Sequence, residues 1–328
     1  MGRHYAKKIA YICVILVLVL TILYSGLRIL ESTVFSPDEN GDGYTVSGIY
    51  EKDGVEYILR SDITVVMLLG IDETGEVKKS ESYTNTGEAD MVALLVFNET
   101  TQKCDVLSLN RDTMLEMPAL GLRGEHAGTF YGQLALSHTF GNGMEQSCEN
   151  TLTAVSDFMK GIEIDYYMAL NMDAIKILND AVGGVKVNVQ EDFSQVDPSI
   201  PMGEHTLLGD QALNYVRIRQ DVGDQLNISR MDRHSQYMKG FLTAFRAANE
   251  DESFTVDVYS QVSPYMVTNF TSKSLSAIAN RFGDYELGEI IAVNKGENTV
   301  VNGHYQFAAD EAYVEELALR YFYKQRNS

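Results

Sequence analysis

Three strongly apolar runs limit what this chain can fold into more than any other feature. Residues 65–70 (VVMLLG), 91–97 (MVALLVF) and 104–109 (CDVLSL) together hold a single charged side chain. Runs of this kind are typical of strands that are buried on both faces of a sheet. Helical patterns over residues 143–161 and 173–182 follow them. The order of these patterns predicts an α/β domain in which helices cover the sheet.

The rest of the chain continues the same pattern. Residues 166–171 (YYMALN) and 185–189 (VKVNV) resemble strands, and we expect another strand near Ile290, a turn around Gly296 and a closing helix from Asp310. With 328 residues and 45% hydrophobic content, the chain can bury a sizeable core in one or two domains.

The N-terminal region predicts a membrane anchor. Residues 9–24 carry no charge, and the stretch extended to residue 30, interrupted only by Arg28, is long enough to cross a bilayer. Basic residues before it predict a cytoplasmic N-terminus, and no small-residue cleavage site follows it. The predicted organisation is a cytoplasmic tail at 1–8, a single-pass anchor at 9–30, an extracellular stalk at 31–54 and an extracellular domain at 55–328.

The charge of the chain excludes one class of partner. There are 46 acidic and 26 basic residues, which gives a formal net charge of −20. Binding to a nucleic-acid backbone needs a basic surface, so we expect no nucleic-acid partner. An anionic ligand would have to enter a local basic pocket or arrive together with a metal ion.

One stretch, residues 215–233 (YVRIRQDVGDQLNISRMDR), provides such a local concentration of positive charge. It holds four arginines and no lysine: Arg217, Arg219, Arg230 and Arg233. The guanidinium fork matches phosphate and carboxylate oxygens in pairs. These arginines therefore predict an anion site, although the alternative is that all four pair with the many carboxylates of the chain.

The second half of this stretch predicts the start of a helix. Ser229 is placed as an N-cap, and Asp232 three residues later as the acid of a capping box. Arg230 and Arg233 would then lie on one side of the first turn, where they can share an anion with free backbone N–H groups. The helix would share one apolar face among Met231, Met238, Leu242 and Phe245.

Charged residues follow the ends of the apolar runs. Asp72 and Arg111 come just after two of them, and Asp90 comes just before another. Ligands of open α/β sheets collect at such edges. Two aspartates suit Mg²⁺, which takes one or two carboxylates together with water and phosphate oxygens. The pattern indicates a shared metal and phosphate site, or otherwise aspartates that serve only as caps and turns.

Seven motifs follow one another between residues 65 and 245: LLGID (68–72), EAD (88–90), LSLNRDT (107–113), QLALSHTFGNG (133–143), DAVGGVKVNV (180–189), LGDQALNYVRIR (208–219) and SRMDRHSQ (229–236). In this order they resemble the LytR-CpsA-Psr family of Gram-positive cell-envelope proteins. The resemblance implies a three-layer α/β/α domain with a central mixed sheet and a long hydrophobic pocket for a polyprenyl chain. It also implies the transfer of an anionic glycopolymer from a polyprenyl pyrophosphate carrier to peptidoglycan, with Mg²⁺ or another divalent cation.

The resemblance assigns roles by position. Asp72 and Asp90 would hold the metal. Phosphate ligands would be Arg111, Arg217, Arg219, Arg230, Arg233 and Gln236. The catalytic residues would be Arg111, Asp90 and Asp112, with a sugar hydroxyl activated by a carboxylate base that is either Asp90 or Asp112.

The chain departs from the family pattern at three positions. Glu88 stands where the family usually has arginine, Gln133 where it has lysine, and His234 where it has glutamine, with Gln236 as a substitute. Glu88 would then point to solvent, join the metal, or weaken the site. Two functions therefore stand beside the transferase: a non-catalytic protein that binds polyprenyl phosphates or wall polymers, and a pyrophosphate hydrolase.

Two further predictions concern residues in the core. Cys104 and Cys148 either form a disulfide or remain buried thiols, because spacing alone does not determine whether they meet. His138 is expected to be a packed, neutral core histidine rather than a catalytic one.

Overall fold

The computed structural model describes residues 49–83, 85–121, 123–218, 221–223, 227–248, 252–271, 274, 281 and 285–326. The predicted tail and anchor, most of the predicted stalk, and Arg219 lie outside these residues. Across the part of the chain that is described, no helix combines the length and the apolar character that a membrane crossing requires.

A six-stranded mixed sheet forms the centre of the domain. Its strands are β3 (Ile63–Ile71), β4 (Ala89–Asn98), β5 (Lys103–Leu109), β8 (Tyr166–Asn171), β11 (Met266–Thr268) and β12 (Glu286–Val293), in the spatial order β11-β8-β3-β4-β5-β12. The β8–β3 and β5–β12 pairs are parallel, and the other three pairs are antiparallel. The three apolar runs of the sequence are the three neighbouring strands β3, β4 and β5.

These strands are apolar throughout because helices cover both faces of the sheet. Successive side chains of a strand point to opposite faces. Accordingly, Val65, Met67 and Leu69 belong to one hydrophobic core, and Val66 and Leu68 to another on the opposite face. The prediction of an α/β fold with a central mixed sheet is confirmed.

In the part of the chain that the structure describes, two helices cover the first face: α1 (Glu145–Phe158) and α6 (Glu311–Phe322). Four lie on the other side: α2 (Met172–Ala181), α3 (Asp210–Arg217), α4 (Asn227–Ala248) and α5 (Glu252–Val262). Their buried side chains form a third cluster, which reaches the sheet through Leu170 and Leu287. Short 3₁₀ helices occur at Leu134–Thr139 and Ser263–Tyr265.

Within the described residues, nine further strands lie outside the central sheet. A small three-stranded sheet consists of β1 (Ile49–Lys52), β2 (Val55–Leu59) and β15 (Tyr323–Gln325). The remaining strands form the hairpins β6 (Met114–Leu120) with β7 (His126–Gln133), β9 (Val185–Val189) with β10 (Gly203–Leu207), and β13 (Gly296–Val301) with β14 (His304–Ala309). Of these nine strands, the sequence predicted only β9.

The structure corrects four details of the sequence analysis. Strand β1 lies within the predicted stalk but pairs with β2, so the predicted domain boundary after residue 54 is too late. Helix α4 begins at Asn227, which places Ser229 inside its first turn instead of at the N-cap. Gly296 is the first residue of a strand rather than the centre of a turn. The disulfide alternative is wrong, because Cys104 and Cys148 are buried in cores on opposite faces of the sheet.

Truncating the centre of β4 tests how much the fold depends on the two-sided burial of this sheet. Leu94 is fully buried, so Leu94→Ala should lower the free energy of unfolding by about 2–5 kcal/mol. Urea titration of the full-length chain in detergent, followed by circular dichroism, measures this change. The matched control is Leu208→Ala at a side chain that is 55% exposed, which should have little effect. Equal losses in the two variants would contradict the prediction.

Candidate functional site

The site forms where β3 ends and β4 begins. Asp72 follows the last residue of β3, and its backbone N–H donates to the Glu88 carbonyl at 2.9 Å. In the β3–β4 ladder, Gly70 pairs with Met91 and Ile71 pairs with Ala89, so Asp90 is an extra residue. Such a bulge changes the direction of the side chain that it carries. The bulge therefore places the Asp90 carboxylate at the same sheet edge as Asp72.

Two arginines from separate elements meet the Asp90 carboxylate. Arg230, in the first turn of α4, donates from Nη1 to Asp90 Oδ2 at 3.0 Å and from Nη2 to the Asp90 carbonyl at 3.3 Å. Arg111, just after β5, lies against Asp90 Oδ1 as an ion pair without hydrogen-bond geometry. The Asp90 side chain is 12% exposed and that of Arg230 only 3%, so these charges compensate one another out of water.

Arg111 also faces two other carboxylates. Its Nη2 lies 3.3 Å from Glu88 Oε2, and its Nε lies 3.4 Å from Asp112 Oδ1. Glu88 therefore pairs with Arg111, a contact that the sequence did not predict. Including Asp90, each guanidinium nitrogen of Arg111 faces an acidic side chain.

Asp112 is held by groups that the sequence did not associate with it. Gln133 Nε2 donates to Asp112 Oδ1 at 3.1 Å and to the Tyr305 carbonyl at 2.7 Å. The Asp112 backbone N–H donates to Asn110 Oδ1 at 3.0 Å, and its carbonyl accepts from the Phe307 N–H at 2.8 Å. Gln133, the last residue of β7, thus connects the β6–β7 hairpin and β14 to Asp112, the residue beside Arg111.

Arg217 lies at the end of α3 and pairs with the other strand-end aspartate. Its Nη2 is 3.1 Å from Asp72 Oδ1, and both side chains are substantially exposed, at 49% and 38%. An exposed ion pair contributes at most about 1 kcal/mol to stability, so Arg217 is free to exchange this partner for a ligand. The other arginine of this motif, Arg219, lies outside the described residues.

Arg233 and Gln236, two of the predicted phosphate ligands, contact protein groups other than Asp90. Arg233 Nε donates to the Tyr215 carbonyl at 2.8 Å, its Nη1 pairs with Glu191, and its Nη2 donates to the Ile218 carbonyl. Gln236 Oε1 accepts from the Asn188 N–H and from the Tyr215 hydroxyl, each at 2.9 Å. These partners differ from those of Arg230. The spacing of three residues along the chain therefore does not bring Arg230 and Arg233 to the same carboxylate.

The described part of the site carries more negative than positive groups. Three arginines (Arg111, Arg217 and Arg230) contact four carboxylates (Asp72, Glu88, Asp90 and Asp112). If all are ionised, this set has one excess negative charge. A bare anion approaching Arg111 would therefore meet repulsion from the neighbouring acids.

The donor chemistry of this edge suits a hard divalent cation. Asp72 and Asp90 offer carboxylate oxygens, the ligands that Mg²⁺ prefers, and water or phosphate oxygens would complete its six positions. Within the described ranges, no three His, Cys, Asp or Glu side chains are arranged to hold a metal by themselves. The two aspartates thus fit a metal that is bound together with a ligand, in exchange for part of their arginine contacts.

An apolar cavity of about 140 Å³ begins beside the site. Gly70 and Met91, the pair next to the Asp90 bulge, form part of its wall. The rest of the wall comes from β3, β8 and helices α2 to α4: Leu68, Leu69, Leu170, Ile175, Leu178, Val216, His234, Tyr237, Met238 and Phe241. The cavity therefore joins the charged sheet edge to an apolar interior between sheet and helices.

His234 is the polar member of this wall and is neutral. Its Nε2–H donates to the Val216 carbonyl at 2.8 Å. Burial, together with the charges of Arg230 and Arg233, lowers the pKa of His234 to about 3. A neutral imidazole keeps the cavity free of charge.

His138 is also a neutral core residue, as predicted, and it supports the segment that leads to Glu88. It is 2% exposed, its Nδ1–H donates to the Gly87 carbonyl at 2.8 Å, and burial lowers its pKa to about 4. Asn85 fixes the same segment by accepting from the Gly87 N–H at 2.8 Å and donating to the His138 carbonyl at 3.0 Å.

Taken together, the fold and the site define a class of protein: an α/β domain that gathers arginines and aspartates at a sheet edge, beside an apolar cavity. The LytR_cpsA_psr family model matches residues 42–321. The chain therefore belongs to this family, and the resemblance seen in its motifs is confirmed.

Relatives and solved structures agree with this membership. The chain is 26% identical over 280 residues to a protein from Bacillus licheniformis named polyisoprenyl-teichoic acid–peptidoglycan teichoic acid transferase TagU, covering 83% of this chain and 84% of that one. The crystal structure of protein gbs0355 from Streptococcus agalactiae has a TM-score of 0.64 at 25% identity, covering 79% and 86%. A structure described as TagT bound to LIIa-WTA shares the fold, with a TM-score of 0.60 at 21% identity, covering 79% and 89%.

The two buried histidines make stability depend on pH. Their pKa values of about 4 and about 3 lie below the value of about 6.5 in an unfolded chain. Between these limits the unfolded chain binds more protons, so the free energy of unfolding should fall as the pH is lowered from about 6.5 towards 4. His138→Asn should make this fall shallower, by up to about 3 kcal/mol between pH 7 and pH 4.

Urea unfolding of the full-length chain at several pH values measures this slope. The control is His126→Asn, at an exposed position of β7, which should leave the slope of the unmodified chain unchanged. A His138→Asn slope that equals the unmodified one would show that His138 does not titrate as proposed.

Proposed function

We propose that the chain is a membrane-anchored phosphotransferase that moves an anionic glycopolymer from a polyprenyl pyrophosphate carrier to peptidoglycan. The observation that carries this proposal is the meeting of Arg111 and Arg230 on Asp90, directly beside the apolar cavity. A charged sheet edge next to an apolar interior suits a ligand with a diphosphate head and a hydrocarbon tail. Relatives that are named teichoic acid–peptidoglycan transferases support the donor and acceptor classes.

The cavity would receive the first part of the polyprenyl tail. A long tail would continue from this cavity between α4 and the sheet and widen the gap between them. Met238 and Tyr237 of α4 lie on this path. A methionine side chain adapts readily to a new neighbour, which favours such an opening.

Arg111, Arg217 and Arg230 would bind the diphosphate oxygens in place of their present carboxylate partners. Phosphoryl transfer depends mainly on positioning and on stabilising the charge of the transferring group, and forked guanidinium groups do both. Mg²⁺, held by Asp72 and Asp90, would supply further positive charge at the phosphate oxygens when bound.

The nucleophile would be a sugar hydroxyl of the acceptor. Its oxygen attacks the phosphorus that carries the glycopolymer, the bond to the bridging oxygen breaks, and polyprenyl phosphate leaves. The hydroxyl proton goes to Asp90 or Asp112, two of the three carboxylates beside Arg111. The Asp90 side chain is 12% exposed and that of Asp112 only 3%, so a hydroxyl reaches Asp90 more readily.

A non-catalytic binding protein is the second candidate, and one observation favours it. Glu88 pairs with Arg111, so the arginine that would stabilise the transition state already has an acidic partner. A site can bind its ligand in this arrangement without accelerating a reaction.

A transfer assay distinguishes these functions. Full-length protein in detergent would receive a lipid-linked polymer, Mg²⁺ and peptidoglycan, and the release of polyprenyl phosphate would be measured. We expect release that requires peptidoglycan and that is lost in Asp90→Ala. Release without peptidoglycan would identify hydrolysis instead. Tight binding with no release would support the binding protein, and neither binding nor release would contradict the proposal.

Replacing single arginines tests which of them bind the diphosphate. Arg217→Ala and Arg219→Ala should each weaken the binding of inorganic pyrophosphate with Mg²⁺ by about 1–3 kcal/mol, measured by calorimetry. Arg233→Ala should reduce stability and leave the affinity of the folded protein unchanged, because the Arg233 side chain is only 5% exposed and is held by Glu191 and two backbone carbonyls. Arg326→Ala, at a surface pair with Glu56, controls for the loss of one positive charge. Unchanged affinity in both Arg217→Ala and Arg219→Ala would show that neither arginine binds the diphosphate.

A further inference from the structure

We propose that Glu88 competes internally for Arg111, so that the site accepts a diphosphate as its divalent-cation complex and discriminates against the free diphosphate. This inference rests on the proposed function and specifies the form of the ligand. It concerns a residue of this chain that stands outside the predicted ligand set.

The first support is the complete occupation of Arg111. Its Nη2 faces Glu88 at 3.3 Å, its Nε faces Asp112 at 3.4 Å, and its Nη1 contacts Asp90. A phosphate can use this fork only after a carboxylate has moved away. The guanidinium of Arg111 itself is largely buried, with 14% of its side chain exposed, so it does not swing out to meet the ligand in solvent.

The second support is the unequal cost of moving these carboxylates. The Glu88 side chain is 38% exposed, compared with 12% for Asp90 and 3% for Asp112. An exposed carboxylate that loses its partner is hydrated by water, whereas a buried one is left uncompensated. Glu88 is therefore the acid that a phosphate displaces from Arg111.

The third support is the charge that remains after this displacement. Glu88 stays close to the proposed metal ligands, because its carbonyl accepts from the Asp72 N–H at 2.9 Å and from the Asp90 N–H at 3.1 Å. A free diphosphate would bring its own negative charges next to three or more carboxylates. A divalent cation that arrives with the diphosphate offsets this repulsion and attracts the released Glu88. The cation thus changes Glu88 from a competitor into a favourable neighbour.

Binding of inorganic pyrophosphate to the full-length protein in detergent tests this inference without requiring catalysis. Calorimetry would compare the unmodified chain with Glu88→Gln, once with a chelator and once with excess MgCl₂. We expect Glu88→Gln to bind metal-free pyrophosphate on the order of tenfold more tightly, because one nearby negative charge has been removed. With MgCl₂ this advantage should disappear.

Glu56→Gln is the matched control. Glu56 belongs to the small β1-β2-β15 sheet and forms a partly exposed ion pair with Arg326 at 2.8 Å. Glu56→Gln changes the net charge by the same amount as Glu88→Gln. It should bind like the unmodified chain under both conditions. An equal gain in Glu56→Gln would attribute the effect to net charge and overturn the inference.

The remaining outcomes separate the inference from the proposed function. Equal affinity of Glu88→Gln and the unmodified chain without metal would overturn the role of Glu88 while keeping the diphosphate site. A gain that persists undiminished in MgCl₂ would also overturn it. No binding by either protein under either condition would instead contradict the diphosphate site. Glu88→Ala, checked by circular dichroism, should repeat the Glu88→Gln result.

Discussion

The ion pairs around Asp90 are the contacts on which the whole site depends. Asp90 belongs to the start of β4, Arg111 follows β5, and Arg230 lies in the first turn of α4. These groups are largely buried, so removing one of them would leave the others without compensation in a region of low dielectric. A single carboxylate therefore joins two neighbouring strands to the helix that covers them, and this helix also forms the wall of the cavity.

This arrangement links the charged and apolar halves of the site. The bulge that turns Asp90 towards the arginines lies beside the Gly70–Met91 pair, and the same pair borders the cavity. A ligand that pulls Arg230 towards a phosphate would also act on α4, whose Met238 faces the apolar side. Arg230 and the cavity-lining Met238 thus belong to the same helix.

The excess of acids changes how the family pattern operates in this chain. Glu88 pairs with Arg111, so this proposed phosphate ligand already has an acidic partner. Gln133 holds Asp112 with a neutral amide, at the position where the family usually has a lysine. Both substitutions lower the positive charge of the edge. In the proposed function, a divalent cation would offset this negative charge for an anionic ligand.

The sequence by itself determined the strands β3, β4 and β5, the helix order and the family. Long apolar runs and the order of motifs are visible in the chain without knowledge of which distant elements come together. It also located Asp72, Asp90 and Arg111 correctly at strand ends. Only the tertiary structure decided which partners the long side chains take. Arg230 and Arg233 are equivalent by spacing, yet one contacts Asp90 and the other Glu191. A long arginine side chain contacts whichever acceptor the packing of distant elements brings near it. A bulge of one residue changes the direction of the Asp90 side chain. Neither effect can be predicted from local spacing.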